Sequence, residues 1–119
     1  MTASDNGKFG EDRAVGFLKK NGYTVIARNY RCRVGEIDII AEKDEYLVFV
    51  EVKTRKNDRF GQAREFVTYS KQQKIRRTAQ LYLALHETDK QPRFDVIEVY
   101  IPGGIFGGVT IHHLENAFM

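Results

Sequence analysis

Apolar positions follow two rhythms along this chain. Ala14, Val15 and Leu18 form one stripe at helical spacing and predict a helix over 5–21. Ser4, Asp5 and Asn6 are its candidate N-caps and Gly22 its stop signal. Residues 23–28 are rich in β-branched and aromatic side chains and predict a first strand, with 29–33 as a loop or an extension of it. Two strands follow, 35–41 and 46–53, joined by the polar turn Glu42-Lys43-Asp44-Glu45. Residues 46–52 are almost continuously apolar, so both faces of that strand must be covered, as in a layered α/β fold. Residues 54–70 read as a long charged connection and 71–86 as a second helix, with Ile75, Ala79 and Tyr82 at helical spacing. A strand follows Pro92, carrying Phe94, Val96, Ile97, Val99 and Ile101, and 105–111 is read as a last short strand. Asn116-Ala117-Phe118 is expected to pack the tail down, and the Gly-Gly pairs at 103–104 and 107–108 read as turns. The expectation is one α/β domain over 1–119. Its three consecutive strands form a meander flanked by helices, and the strand after the second helix returns parallel.

Three charged side chains interrupt the central apolar runs. With the turn centred between Asp44 and Glu45, the antiparallel register pairs Glu42 with Leu47, Ile40 with Phe49, and Asp38 with Glu51. Directly opposed residues share a face, with Cβ atoms roughly 4.5–5.5 Å apart. Lys53, two residues beyond Glu51, projects from that same face. Opposed like charges destabilise a sheet, and a divalent cation held between Asp38 and Glu51 would offset that. Glu36 falls opposite Lys53, either setting its position or forming an ordinary surface ion pair. Glu11 lies on the apolar stripe of the first helix. It either leans out to solvent near the helix start, where the dipole favours an acid, or turns inward to a partner or a metal.

Composition narrows the classes. A chain of 119 residues with 42% hydrophobic and 29% charged side chains can bury a core without covalent staples. Cys32 is the single cysteine, so no internal disulfide forms. The first residues lack the apolar core of a signal peptide, and no apolar run approaches a membrane span, so the expected location is the cytoplasm. The net charge of +3 is unevenly spread: eight basic and two acidic residues lie between Arg55 and Arg77. That stretch leaves the strand directly after Lys53, and Arg55, Lys56, Lys71 and Lys74 are its candidate phosphate contacts. Five more basic residues and no acid lie from Lys19 to Arg33, read as a solvated basic surface. His112 and His113 are adjacent, face opposite ways on a strand, and are not read as metal ligands.

Asp38, Glu51 and Lys53 suit one chemistry. Mg²⁺ uses one or two protein carboxylates together with waters and substrate phosphates. A lysine beside it orients an attacking water or stabilises a charged transition state. The Val52 backbone carbonyl offers a further ligand, and Glu11 could complete the shell. The chain has no Gly-x-Ser-x-Gly elbow, no phosphate-cradling Walker loop and no zinc-spaced Cys or His set.

A longer string carries a resemblance. Gly35-Glu36-Ile37-Asp38, Phe49-Val50-Glu51-Val52-Lys53-Thr54-Arg55, the Phe60-Gly61 pair, Lys71 and Asn116-Ala117-Phe118 together resemble the bacterial YraN family of predicted endonucleases, over nearly the whole chain. Asp38 followed by Glu51-Val52-Lys53 is similar to the PD-(D/E)xK nuclease signature, with Ile37 where the literal motif has proline. The resemblance extends to the archaeal Holliday junction resolvases. It implies the restriction-endonuclease-like three-layer fold, a mixed central sheet flanked by helices in α-β-β-β-α-β order. It implies metal ligation by Asp38 and Glu51, support from Glu11, and Lys53 as the catalytic lysine. The expected function is a Mg²⁺- or Mn²⁺-dependent endonuclease cutting DNA, branched DNA included, as a homodimer where paired incisions are needed. The alternative is a nucleic-acid-binding module of nuclease-like fold without catalysis.

Overall fold

The computed structural model describes residues 3–55, 67–101 and 108–119, and side chains from residue 7 onward. In chain order the elements are helix α1 (Ala3–Lys20), strands β1 (Thr24–Cys32), β2 (Gly35–Lys43) and β3 (Tyr46–Arg55), helix α2 (Tyr69–Leu85), and strands β4 (Gln91–Tyr100) and β5 (Thr110–Phe118). They build one five-stranded mixed sheet of order β1-β2-β3-β4-β5. β3 pairs with β4 in parallel, and the other three pairings are antiparallel.

The apolar run of β3 explains why a helix lies on each face. Val48 and Val50 pack with Ile39, Ala41, Ile97 and Val99 under Ala14, Val15 and Leu18 of α1. Leu47 and Phe49 pack with Ile37, Ile40 and Val96 under Ile75, Ala79 and Tyr82 of α2. Alternate residues of one strand thus feed two separate cores. No helix among the described residues is long and apolar enough to cross a membrane.

Local chemistry sets the helix ends. Gly22 has φ 89°, and the Tyr23 and Gly22 amides bond the Leu18 and Lys19 carbonyls, which closes α1 in a Schellman turn. α1 begins at Ala3, so Ser4, Asp5 and Asn6 lie inside it and are not caps. Glu11 consequently sits mid-helix, beyond reach of the terminal dipole. Gly10 lets α1 approach β3 closely, because a Cβ there would stand 2.0 Å from Thr54 Oγ1. A larger residue at position 10 would lift the Glu11 turn off the sheet.

Two boundaries differ from the sequence reading. β1 runs on through 29–32, which settles that segment as a strand extension. The last strand is Thr110–Phe118, later than the 105–111 expected, and residues 102–107 lie outside the described ones. Within this strand, residues 112–116 carry one apolar side chain, Leu114, too few to show a strand's alternation. The segment is held by Asp95, which is fully buried at an irregularity in the β4–β5 register. Asp95 accepts from Arg93 Nε and an Arg93 terminal nitrogen at 2.9 and 2.8 Å, and from the Asn116 amide at 2.9 Å. His113 Nε2 lies 2.7 Å from the same carboxylate. Burial alone would raise the Asp95 pKa. The hydrogen bonds from His113, Arg93 and Asn116 outweigh burial and hold it below the ordinary carboxylate range.

Candidate metal centre

The β2–β3 hairpin turns at Asp44 and Glu45, with Asp44 in the left-handed region at φ 53°. Its register is the one the turn predicts: Glu42 faces Leu47 and Ile40 faces Phe49. The described ladder ends at Ile39 and Val50, one position short of Asp38 and Glu51. There a side chain takes over from the backbone, and Asp38 Oδ2 accepts the Val52 amide at 2.8 Å.

A break in alternation aims Asp38. Ile37 and Ile39 lie two residues apart, yet they enter opposite cores. A regular pleat would put both on one face. On β1, Asn29 falls between the pairs Arg28–Ile39 and Tyr30–Ile37, as Asp38 does on β2, and it has φ 52°. The irregularity leaves Asp38 where both helices reach it. Glu11 of α1 and Lys71 of α2 each interact electrostatically with its carboxylate. The expected direct pairing of Asp38 with Glu51 is not part of the described ladder, and Glu11 reaches Asp38 from α1, the inward of its two readings.

Glu51 continues the α2-facing series of Leu47 and Phe49 and is 7% exposed. Its Oε1 lies 3.7 Å from Lys53 Nζ and 3.7 Å from Lys71 Nζ. Burial, and next the Asp38 charge, push its pKa up to about 7, against the pull of Lys71 and Lys53. The Asp38 pKa is also raised, first by burial, although the Val52 amide and Lys71 favour its charged form. Glu11 is half-buried and hydrogen-bonded to Asn29. Burial and then the Asp38 charge raise its pKa too. Three acids thus crowd together, each less willing to ionise than in water.

That crowding has a pH consequence. A group with a raised folded pKa adds stability that is full below its unfolded value and is lost as pH rises through the folded value. For Glu51 the window runs from about 4.5 to about 7. Glu51→Gln removes this loss. In chelator, urea melts should show the variant gaining on the parent by on the order of 2 kcal/mol between pH 5 and pH 8. A gap that stays constant with pH would contradict the burial of this charge.

The remaining predicted residues fall in different places. Glu36, expected opposite Lys53, instead faces Arg31 of β1 and forms a surface ion pair with it at 3.1 Å. Lys71, read as a phosphate contact, stands on Glu51. Arg55 lies 3.3 Å from the fully buried Glu98. Lys74 is exposed on α2, and Lys56 lies outside the described residues. Of Val52, the amide is the group seen engaged, on Asp38. Asn29 was not singled out in the sequence, and its one signal was an asparagine, tolerant of positive φ, in a strand.

Lys8, Glu11, Arg28, Asn29, Glu36 and Asp38 line an open groove of about 590 Å³ on the α1 side of the acids. A larger groove of about 920 Å³ lies at the opposite end of β3, but Arg93, the cation lining it, is committed to Asp95 and Tyr23. The acid cluster is therefore the better candidate for chemistry. Among the described residues no set of three or more His, Cys, Asp or Glu could by itself hold a metal. The half-buried Asp38, which lines the groove, and the buried Glu51 behind it suit an ion such as Mg²⁺, which takes its other ligands from water and phosphate.

Comparison with known proteins gives the family. The model of the uncharacterised protein family UPF0102 matches residues 10–99, from the Glu11 turn through β4. The chain is 50% identical over 121 residues to a UPF0102 protein of Caldicellulosiruptor bescii, covering 99% of this chain and all of that one. It is 50% identical over 115 residues to one of Alkaliphilus oremlandii, covering 94% and 96% of the two chains. It is 44% identical over 113 residues to one of Caldanaerobacter subterraneus, covering 94% and 93%. With nearly full-length identity at this level, and a family match that contains Glu11, Asp38, Glu51 and Lys53, the chain belongs to the UPF0102 family.

Proposed function

We propose that this protein is a Mg²⁺- or Mn²⁺-dependent endonuclease that hydrolyses phosphodiester bonds in DNA, built on a restriction-endonuclease-like fold. The observation that carries the reading is Glu51. It is a nearly buried carboxylate, crowded by Asp38, with Lys53 two residues further along the same strand face. The element order supports the fold, with Asp38 on β2, the Glu51-Val52-Lys53 run on β3, and a helix on each face of the sheet.

Asp38 and Glu51 would hold the ion, with the Val52 carbonyl as a backbone ligand and Glu11 in support from α1. When bound, it supplies a lowered pKa for a coordinated water and neutralises charge on the phosphate oxygens. The residues fit such an ion because burial and mutual repulsion disfavour their ionisation, and a cation reverses both effects. Lys53, held beside Glu51, donates to the attacking water or to the charge that develops at phosphorus. The hydrogen bond from Val52 fixes the Asp38 carboxylate, so little reordering is needed on binding. Exposed Lys74 meets a flanking phosphate. Arg55 stays anchored by Glu98 at the start of the basic segment.

Branched DNA is the first substrate to try, because the resemblance includes junction resolvases. The experiment incubates a four-way junction, a duplex and a single strand with the protein in Mn²⁺ and in chelator. Cleavage of at least one substrate, in Mn²⁺ alone, is expected. If none is cut and the protein binds no divalent ion, the enzyme reading fails. DNA binding without cleavage would favour the non-catalytic module.

A further inference from the structure

Lys71 is placed against its own helix. Thr68 caps α2, its hydroxyl accepting the Lys71 amide at 3.2 Å, which puts Lys71 in the first turn. A cation at that end opposes the helix dipole. α2 carries no acidic residue, so no neighbour on the helix compensates. The compensation comes from the sheet: Lys71 Nζ stands 3.7 Å from Glu51 Oε1, and Lys53 Nζ stands at the same distance. One carboxylate oxygen therefore has two cations beside it. Neither is within hydrogen-bonding distance, so the contacts hold by charge alone. Lys53 shares a strand with Glu51, whereas Lys71 reaches in from another element and keeps 36% of its side chain exposed.

We propose that Lys71 is an exchangeable counterion: in the metal-free protein it neutralises Glu51, and it yields Glu51 to a divalent cation and turns to a substrate phosphate. The inference rests on the metal-dependent reading above and adds a residue to it. Lys71 keeps the acids compatible with folding while no ion is bound. It competes with the ion for Glu51. Once displaced, it stands with the α2 N-terminus, where an anion is favoured.

The test titrates Mn²⁺ alone, without DNA, into wild type, Lys71→Met, Lys71→Arg and Arg77→Met by calorimetry. Lys71→Met should bind Mn²⁺ about tenfold more tightly, because a like charge leaves the ion's neighbourhood. Lys71→Arg should stay near wild type. Arg77→Met, which removes an exposed charge elsewhere on α2, should also stay there. In Ca²⁺, Lys71→Met should bind a labelled oligonucleotide several-fold more weakly. Opposite signs for metal and DNA are the signature, since a merely structural lysine would weaken both. Unchanged or weaker Mn²⁺ binding by Lys71→Met, or an equal gain in Arg77→Met, overturns the proposal and leaves the metal site standing. Absence of Mn²⁺ binding in every variant removes the metal reading itself. If Lys71→Met does not fold, Lys71→Gln carries the same expectations.

Discussion

Lys53→Ala should lower the cleavage rate by about 10²–10⁴-fold, the usual range for losing a group that moves protons or stabilises charge at the reacting centre. DNA affinity should change little, and metal binding should be retained and somewhat tightened, because a like charge 3.7 Å from Glu51 is removed. Glu51 keeps Lys71 at 3.7 Å when Lys53 is removed, so the buried carboxylate is not stranded and the fold should survive. Asp38 also keeps its hydrogen bond from the Val52 amide. The measurement pairs single-turnover cleavage in Mn²⁺ with binding in Ca²⁺. Lost DNA binding with an unchanged rate at saturation would make Lys53 an anchor and not a catalyst.

Asp95→Asn should destabilise the fold by roughly 3–5 kcal/mol, the cost of leaving a buried charge without its partner. The Arg93 side chain is 12% exposed, and the mutation removes the carboxylate that balances it. The same carboxylate holds the Asn116 amide and His113, so β5 loses its attachment to β4 where the register shifts. At this chain length the melting temperature should fall by about 10–20 °C. Replacing Arg93 and Asp95 together with apolar residues should recover much of the loss. If the single variant melts within a few degrees of wild type, the buried network does not organise this end of the sheet.

Glu51 and Asp95 have opposite pH slopes. The Asp95 contribution is present above its ordinary value of 3.8 and is lost as pH falls through its lower folded value. The Glu51 contribution declines as pH rises from 4.5 towards 7. Judged by these two groups, the metal-free protein is most stable between those windows, in mild acid. A divalent ion bound by the acids, as proposed, would move that optimum towards neutrality by stabilising the charged form of Glu51.

The parts of this fold legible in the sequence are those encoded locally. The hairpin register follows from a two-residue turn and two apolar runs, so Glu42–Leu47 and Ile40–Phe49 could be paired without coordinates. The order of helices and strands follows from periodicity. What escaped is long-range or irregular. Lys71 reaches Glu51 from the far side of a long connection, and its place there depends on how α2 docks. Arg93 bonds Tyr23 across 70 residues of chain. The Asn29–Asp38 irregularity is invisible to any strictly alternating pattern, yet it is what exposes Asp38 to both helices. β5 runs later than its sequence suggests because residues 112–116, with Leu114 their one apolar side chain, show no alternation, and Asp95 fixes them through His113 and Asn116.

The bond from the Val52 amide to Asp38 Oδ2 gives the site a built-in reporter. An amide proton shared with a carboxylate is polarised more strongly when that carboxylate carries its charge. The Val52 resonance in a nitrogen–proton correlation spectrum should therefore follow the state of Asp38 through acid titration and through ion loading. It does so at a backbone position that no side-chain substitution deletes, so a panel of variants could be compared with one probe before any substrate is known.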